Sequence, residues 1–317
     1  MREAFCVADG GVGLATDVVI LSLLALSAWL VLRTGRISLG QQAFFGIGAY
    51  AAGIATTLAH WPLAPALAAG MAFGALASAG VALSTARLGG LHYAVATLAF
   101  AELTRLGLLS WRLRVREPDG SWIGPDGVDG FRDIRWLLEN QVTPERFLAM
   151  GLAVLAVVLV GLLWLGRTRA GAAMAAVGHD DGLAAASGLP VLRLRVSAAA
   201  LAGALAALGG GLHAHRLTFV DPNAYDPMLG VHAVGYALVG GLATPIGPLL
   251  GAAFDMFLLE TSKLFGGWRM VVFGGLVAVF LRVRPRGLLD EAFVHRLAAA
   301  WRRAFPTPSS RTTHAHP

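Results

Sequence analysis

Long apolar runs alternate with short arginine-bearing breaks along the chain, and this pattern predicts the architecture. Phe147 to Gly166 is twenty residues without a charge, enough for one helix to cross roughly 30 Å of hydrocarbon. Ile37 to Ala86 contains no Asp, Glu, Lys or Arg; it is too long for one crossing and reads as two. About nine membrane segments result, near 16–32, 41–60, 63–86, 91–111, 147–166, 196–212, 228–244, 247–265 and 268–281. Glu102 and Arg105 interrupt the fourth. The last three are crowded and short, so that one of them can be a re-entrant or broken helix. Soluble helices would instead show polar faces. The predicted fold is an all-α, polytopic integral membrane helical bundle. A short N-terminal segment, 1–15, precedes a single transmembrane domain, 16–288. A cytoplasmic tail, 289–317, ends in a Pro-, Ser-, Thr- and His-rich stretch expected to be disordered.

Composition agrees: 56% of residues are apolar and 14% charged, against about 25% charged in soluble domains. The formal charge of +6 does not mark a nucleic-acid binder. The basic residues sit between apolar runs, not on one aromatic-rich face. Their placement instead sets topology. With nine spans, Arg33, Arg36, Arg87, the 167–195 loop and the arginines of the tail fall on one side, the cytoplasm. The opposing 112–146 loop, predicted external, runs against the rule with six arginines, alongside seven acids. The N-terminus is predicted outside and the C-terminus inside. The start of the chain is short and acidic, unlike an ordinary signal peptide, and the run from Val18 to Leu32 reads as a retained anchor. A single cysteine, Cys6, excludes an internal disulfide and a multi-cysteine metal site.

Candidate chemistry is sparse. Gly35-Arg36-Ile37-Ser38-Leu39-Gly40-Gln41-Gln42 begins polar and glycine-rich before an apolar continuation to Tyr50. Ser38, Gln41 and Gln42 can satisfy backbone groups freed by a helix break, and with Thr97 they are expected near a polar crevice between helices. Gly46 and Gly48 offer small surfaces for close packing. A second interruption, Val239-Gly240-Gly241-Leu242-Ala243-Thr244-Pro245-Ile246-Gly247-Pro248, stops an ordinary helix. Paired interruptions fit a transporter with a midplane path; a plain turn between two helices explains the second equally well. Glu102 and Arg105 lie one turn apart and can pair, as can Glu260 and Lys263; Asp255 is a further acid within an apolar segment. His213 and His215 lack a third metal ligand and read as an interfacial pair. Neither G-x-S-x-G nor H-E-x-x-H is present. Lys263, the only lysine, follows Glu-Thr-Ser, so no Walker A loop exists. In the 167–195 loop, alanine-rich pieces predict short helices. Asp180 and Asp181 sit where an acid suits the first turn of the second piece, and Gly188 marks its stop before Pro190. The loop is either a solvated connector or a docking element for a cytosolic partner.

Four stretches in order resemble the permease subunits of bacterial branched-chain amino acid ABC importers. They are Gly35–Tyr50, Leu88–Leu103, Gly171–Leu189 and Val239–Gly251; Arg284-Pro285-Arg286-Gly287-Leu288 adds to them. The resemblance implies a multi-pass subunit of the bacterial inner membrane. It implies a second homologous permease subunit, two cytosolic ATP-binding subunits that consume the ATP, and an external solute-binding protein. No cofactor is implied for this chain, and it is not itself an enzyme. The solute path is expected to involve Ser38, Gln41, Gln42, Gly46, Gly48, Tyr50, Thr97 and Glu102. ATPase coupling is expected at Gly171, Asp180, Asp181, Ala184 and Gly188. The sequence departs from the family where Ala172, Ala175 and Gly178 replace basic residues and where His179 and Ala185 replace acids. In the external loop, Gly124-Pro125 stands for a glycine pair. Urea and short-amide importers use similar permeases. A different class, an autonomous secondary transporter or channel, would need an ion relay, for which only Glu102, Arg105, Asp255 and His92 qualify. A membrane-embedded enzyme stands further off.

Overall fold

The computed structural model describes residues 2–116 and 122–262, with a few separate positions between 271 and 282. The expected ninth segment, the Glu260–Lys263 pair, Arg284–Leu288 and the tail lie outside the described residues. Eleven α-helices are described. They are α1 (Arg2–Leu32), α2 (Gln41–Thr57), α3 (Leu63–Ser84), α4 (Gly90–Ser110), α5 (Trp136–Glu139), α6 (Pro144–Arg167), α7 (Arg169–His179), α8 (Asp181–Ala186), α9 (Val191–Leu217), α10 (Pro227–Gly240) and α11 (Ile246–Ser262).

Among them, four are long and apolar enough to cross a membrane: Gly11–Leu32 of α1, α3, α6 and α9. Of the about nine membrane segments expected, broken or re-entrant helices included, the described residues confirm four as helices of this kind. Breaks shorten two of the others. The polar stretch before Gln41 leaves α2 with 17 residues, and the glycine-proline turn leaves α10 with 14, below the roughly 20 needed to span. α6 is the most lipid-like element: 17% of its apolar window is buried, against 72% for α1.

The fold is not purely helical. The 112–146 stretch carries a three-stranded antiparallel sheet, β1 (Val115–Arg116), β2 (Trp122–Pro125) and β3 (Phe131–Arg132). Arg116 lies over the Trp122 ring at 6.0 Å, a cross-strand contact that suits so short a pair. β3 is joined to the segment after α9, since the Phe131 and Val220 amides each donate to the other's carbonyl.

The bundle is organised around α9. Gly203, Ala207, Gly210 and Gly211 let two neighbours, α2 and α3, approach at backbone distance, as small residues do in membrane interfaces. A Cβ on Gly74 of α3 would lie 2.6 Å from the Gly203 carbonyl, and one on Gly210 would overlap the Phe45 carbonyl of α2. Gly48 meets the Ala207 backbone in the same way. Hydrogen bonds finish the seam: Ser78 Oγ donates to the Ala199 carbonyl at 2.7 Å. His215 Nε2 lies 3.0 Å from Thr56 Oγ1, and its Nδ1 lies 2.7 Å from the Gly211 carbonyl. His215 is thus fully buried, not interfacial, because the α9 glycines draw its ring against α2.

α10 and α11 form a hairpin across the second interruption. Gly241 has φ +101°, a backbone that glycine adopts freely. A Cβ on Gly240 would overlap Gly247 of the returning helix. The turn is pinned to α1 by Trp29 Nε1, which donates to the Leu242 carbonyl at 3.0 Å.

Candidate functional site

The non-helical stretch before α2 is stabilised from within. The Leu39 amide donates to Thr97 Oγ1 at 3.1 Å, and the Gly40 amide to Ser38 Oγ at 3.4 Å. Thr97 Oγ1 in turn donates to the Ala94 carbonyl of α4. A Cβ on Gly40 would lie 2.7 Å from the Thr97 carbonyl, so only glycine lets this turn meet α4 so closely. Ser38 and Thr97 thereby supply partners for amides that the break leaves outside a helix ladder.

Gln41 and Gln42 do something else. Both are buried, yet Gln41 Oε1 and both amide atoms of Gln42 have no hydrogen-bond partner among the described residues. Gln42, Gly46 and Tyr50 recur every four residues and so line one face of α2. Gly46 seats the Tyr225 ring, 3.0 Å from where a Cβ would stand. Gly230 of α10 lies against the Gln42 amide. The Tyr50 and Tyr225 hydroxyls are also buried without partners. Gln42 and Tyr50 of α2 and Tyr225 of the turn before α10 therefore offer unsatisfied donors and acceptors in one seam, with the buried Gln41 beside Gln42 in sequence. Leaving such groups unmade costs about 1–3 kcal/mol each. Gly48 stands apart, on the α2 face packed against α9.

Tyr225 carried no sequence signal beyond its setting, Asp221-Pro222-Asn223-Ala224-Tyr225-Asp226-Pro227. The structure shows what that setting does. Asp221 Oδ1 accepts from the Asn223 amide at 2.9 Å, and Asp226 Oδ1 caps α10 through the Leu229 amide. The turn is held from α4 by Arg105. Its Nε and Nη2 grip Glu102 at 3.0 and 2.5 Å, and its Nη1 donates to Asn223 Oδ1 at 3.0 Å. Glu102 and Arg105 face one another as their spacing predicts. Their contact is with the turn that carries Tyr225, at the margin of the seam. A buried pair, Tyr236 Oη donating to Asp255 Oδ2 at 2.6 Å, ties α10 to α11.

At the other end of α6 the chain forms the expected short helices. Thr168 caps α7 by accepting from the Gly171 amide at 3.2 Å. Gly171 lies so close to the Leu165 carbonyl that a Cβ would overlap it. Asp180 is the N-cap of α8, its Oδ1 accepting from the Leu183 amide at 2.9 Å. Gly188, at φ +81°, ends α8. The Leu189 amide reaches back to the Ala184 carbonyl and the Gly188 amide to the Ala185 carbonyl, the pairing of a Schellman motif. Ala184 is buried. Asp181 is tied to Arg195 of α9 at 2.9 Å, and that hydrogen bond holds its carboxyl below the ordinary carboxylate value.

Sequence reasoning missed one contact here. Gly178, in the last turn of α7, is pressed onto the turn between α1 and α2. A Cβ on Gly178 would overlap the Arg33 carbonyl, and one on Gly35 would lie 2.9 Å from the Gly178 carbonyl. The two glycines form a backbone-to-backbone knuckle, seven residues before Gln42.

The profile of the family described as branched-chain amino acid transport system, permease component, matches residues 11–281. The chain belongs to this permease family. Members are transport subunits, not enzymes, and they are multi-pass membrane proteins, in keeping with the apolar helices above. The high-affinity branched-chain amino acid transport system permease protein LivM of Salmonella typhimurium is 27% identical over 309 residues, covering 90% of this chain and 71% of that protein. The autoinducer 2 import system permease protein LsrC of an Enterobacter species is 33% identical over 298 residues, covering 90% and 82%. The fructose import permease protein FrcC of Rhizobium meliloti is 31% identical over a shorter 140 residues, 41% of this chain. No solved structure matches the chain. In the permease, among the described residues, no group of three or more His, Cys, Asp and Glu could hold a metal ion.

Proposed function

We propose that this permease is one of two membrane subunits of an ABC importer in the bacterial inner membrane. Its path runs along the Gln41, Gln42, Tyr50 and Tyr225 seam, and α7–α8 receives the push of a cytosolic ATPase. The observation that carries this reading is the knuckle. The 167–195 loop is folded into helices, and Gly178 bears directly on the chain that begins α2. Movement of α7–α8 is therefore delivered to the helix that lines the seam. With no phosphate-binding loop of its own, the chain depends on ATP-binding partner subunits for energy and on an external binding protein for delivery. The 112–146 sheet and the 167–195 helices lie at opposite ends of α6, and the distribution of arginines between apolar runs assigns the sheet to the outside and the helices to the cytoplasm.

For the solute we favour a branched-chain or related amino acid, following the family description and the LivM relatives. A second reading, a small polyol or sugar-like solute, is supported by the relatives named for autoinducer 2 and fructose. Hydroxyl and amide groups without charge, as in the seam, suit either. The test is purification of the chain with the ATP-binding and permease subunits encoded beside it, in proteoliposomes with the cognate binding protein. ATP hydrolysis stimulated by leucine, isoleucine or valine supports the first reading; stimulation by autoinducer 2 or fructose alone replaces it. Uptake without ATP or partners refutes the importer altogether and favours an autonomous transporter.

A further inference from the structure

The turn that carries Gly35 also carries Arg36, and this guanidinium is almost wholly withdrawn from solvent, the residue being 5% exposed. Its Nη2 donates to the Ala86 carbonyl at 2.9 Å, and it lies 4.7 Å from the centroid of the Tyr93 ring. Its Nε has no acceptor among the described residues. Arg195 gives one Nη2 hydrogen bond to Asp181, and its Nε is likewise buried without an acceptor. Both arginines line one cavity of about 440 Å³. Its other walls are the turn between α3 and α4, with Arg87 at the rim, and the junction of α7 with α8 at Gly178 and Asp181.

Arginine stays charged in proteins, and burying a charge without a counter-charge costs several kcal/mol. Arg36 registers that cost: burial first, then the charge of Arg195, hold it below its ordinary value. Of the acids of the cavity, Asp181 relieves it only in part, acting against the larger effects of burial and Arg195. Asp180 is committed to the cap of α8, and Asp181 to Arg195. Three guanidiniums thus face two engaged carboxylates.

We propose that this cavity binds a phosphate group, carried by an anionic phospholipid headgroup or present as free phosphate. Guanidinium donors match phosphate oxygens well. A tetrahedral phosphate can accept from Arg36, Arg195 and Arg87 along three directions, whereas a carboxylate offers two coplanar oxygens. Bound there, it bridges the α1–α2 turn, the α3–α4 turn and α8, and so clamps the knuckle. The proposal does not rest on the solute or on ATP coupling.

The test uses the full chain purified in neutral detergent. Its melting temperature is followed against sodium phosphate, short-chain phosphatidylglycerol, short-chain phosphatidylcholine and sodium acetate at matched ionic strength. The expected result is a saturable rise with phosphate, phosphatidylglycerol or both. A rise with phosphatidylglycerol alone assigns the site to lipid, and one with phosphate alone to the free ion. Arg36→Gln raises the half-saturating concentration about tenfold or more. Arg87→Gln, at the exposed rim, raises it about three- to tenfold and leaves the ligand-free melting temperature unchanged, so it carries the test if Arg36→Gln fails to fold. Arg169→Gln, outside the cavity, is the control. No rise with either phosphate probe, an equal rise with acetate, or an unchanged half-saturation in Arg87→Gln overturns the proposal. Transport is not read in this experiment, so its failure is separable from failure of the importer reading.

Discussion

Gly178→Ala sets two effects of similar size against one another. Within α7 taken alone, alanine is the better helix former by about 1 kcal/mol, and Gly178 has no positive φ that would oppose it. Against this stands the knuckle. The added Cβ overlaps the Arg33 carbonyl and lies 3.0 Å from its carbon and 3.2 Å from the Gly35 nitrogen. All three are backbone atoms, so no rotamer change makes room. Restoring ordinary contact needs a shift of about 1 Å between α7 and the α1–α2 turn. Overpacking of this kind costs about 1–3 kcal/mol, which exceeds the propensity gain. The expected outcome is a lowered melting temperature with normal membrane insertion, and ATP hydrolysis in the assembled importer that no longer responds to solute. Gly188→Ala is the matched control. A Cβ there meets nothing within 4 Å, and the cost is the strain of a positive φ, about 1–2 kcal/mol, confined to the end of α8. That variant should melt lower yet keep solute-stimulated hydrolysis. If Gly178→Ala melts above wild type and remains coupled, helix propensity has won and the knuckle transmits nothing.

Gln42→Leu removes two buried unsatisfied groups, so stability should hold or rise while transport falls about tenfold or more; equal losses of both would make Gln42 structural. Ala184→Pro removes the hydrogen bond from its amide to the Asp180 carbonyl, 3.0 Å in the native protein, at about 3 kcal/mol; inserted but uncoupled protein is expected, and normal transport would reduce the loop to a connector. Arg195 depresses the Asp181 carboxyl below its ordinary 3.8, so the α8–α9 tie is fully present above that value and is lost as pH falls through the lower, folded value. Amide exchange in α8 should therefore quicken only on that acid side, and not in a pH-dependent way in Asp181→Asn. With Cys6 replaced, a cysteine at the exposed Val128 should react with an impermeant reagent from outside and one at His179 should not; the reverse pattern inverts the topology.

Much of this was legible in the sequence, for reasons that can be assigned to particular residues. Apolar run length and the polar break at 35–40 located α2, α3, α4 and α6 within a few residues and the end of α1, but not its start, since the helix already begins at Arg2, within the expected N-terminal segment 1–15. Asp180, Gly188 and the alanines between them defined α8 down to its caps, because capping is local chemistry. What stayed hidden was tertiary. Nothing about Gly178 in the sequence says that it meets Gly35, and Tyr225 was invisible until α2 placed Gly46 beneath its ring. His215 was misjudged as interfacial, since its burial depends on the glycine seam of α9. The sheet at 115–132 was overlooked because its strands are two to four residues long, too short for a period-two pattern to show. Where runs of apolar residues continue through turns, as at Gly241–Pro245, run length does not show how short the helix on either side is.

The first half of α2 is where these observations converge, and their order along the chain restricts how an importer of this kind can work. Arg33 and Gly35 receive α7, Arg36 faces the cavity, Leu39 donates to Thr97 of α4, and Gln42, Gly46 and Tyr50 line the seam. Between Gly35 and Gln42 there are only six residues, and the first five of them, 36–40, are not helical, so a push on α7–α8 need not bend a helix to reach the start of α2. The hydrogen bond of Leu39 determines where that push travels next. It fastens the stretch to α4, where Gly40 lies close against the Thr97 backbone, and Arg105 fastens α4 to the turn that carries Tyr225. A shift of the α1–α2 turn is therefore shared by both walls of the seam, Gln42 on one and Tyr225 on the other. Whether the seam opens or closes depends on how far Thr97 lets those walls move apart. On this reasoning Thr97→Val, which removes the acceptor for Leu39 and spares the packing, should leave solute-stimulated hydrolysis in place while uptake per ATP falls, because the push still arrives and the walls no longer answer together. A Thr97→Val protein with unchanged uptake per ATP would show that α2 moves alone.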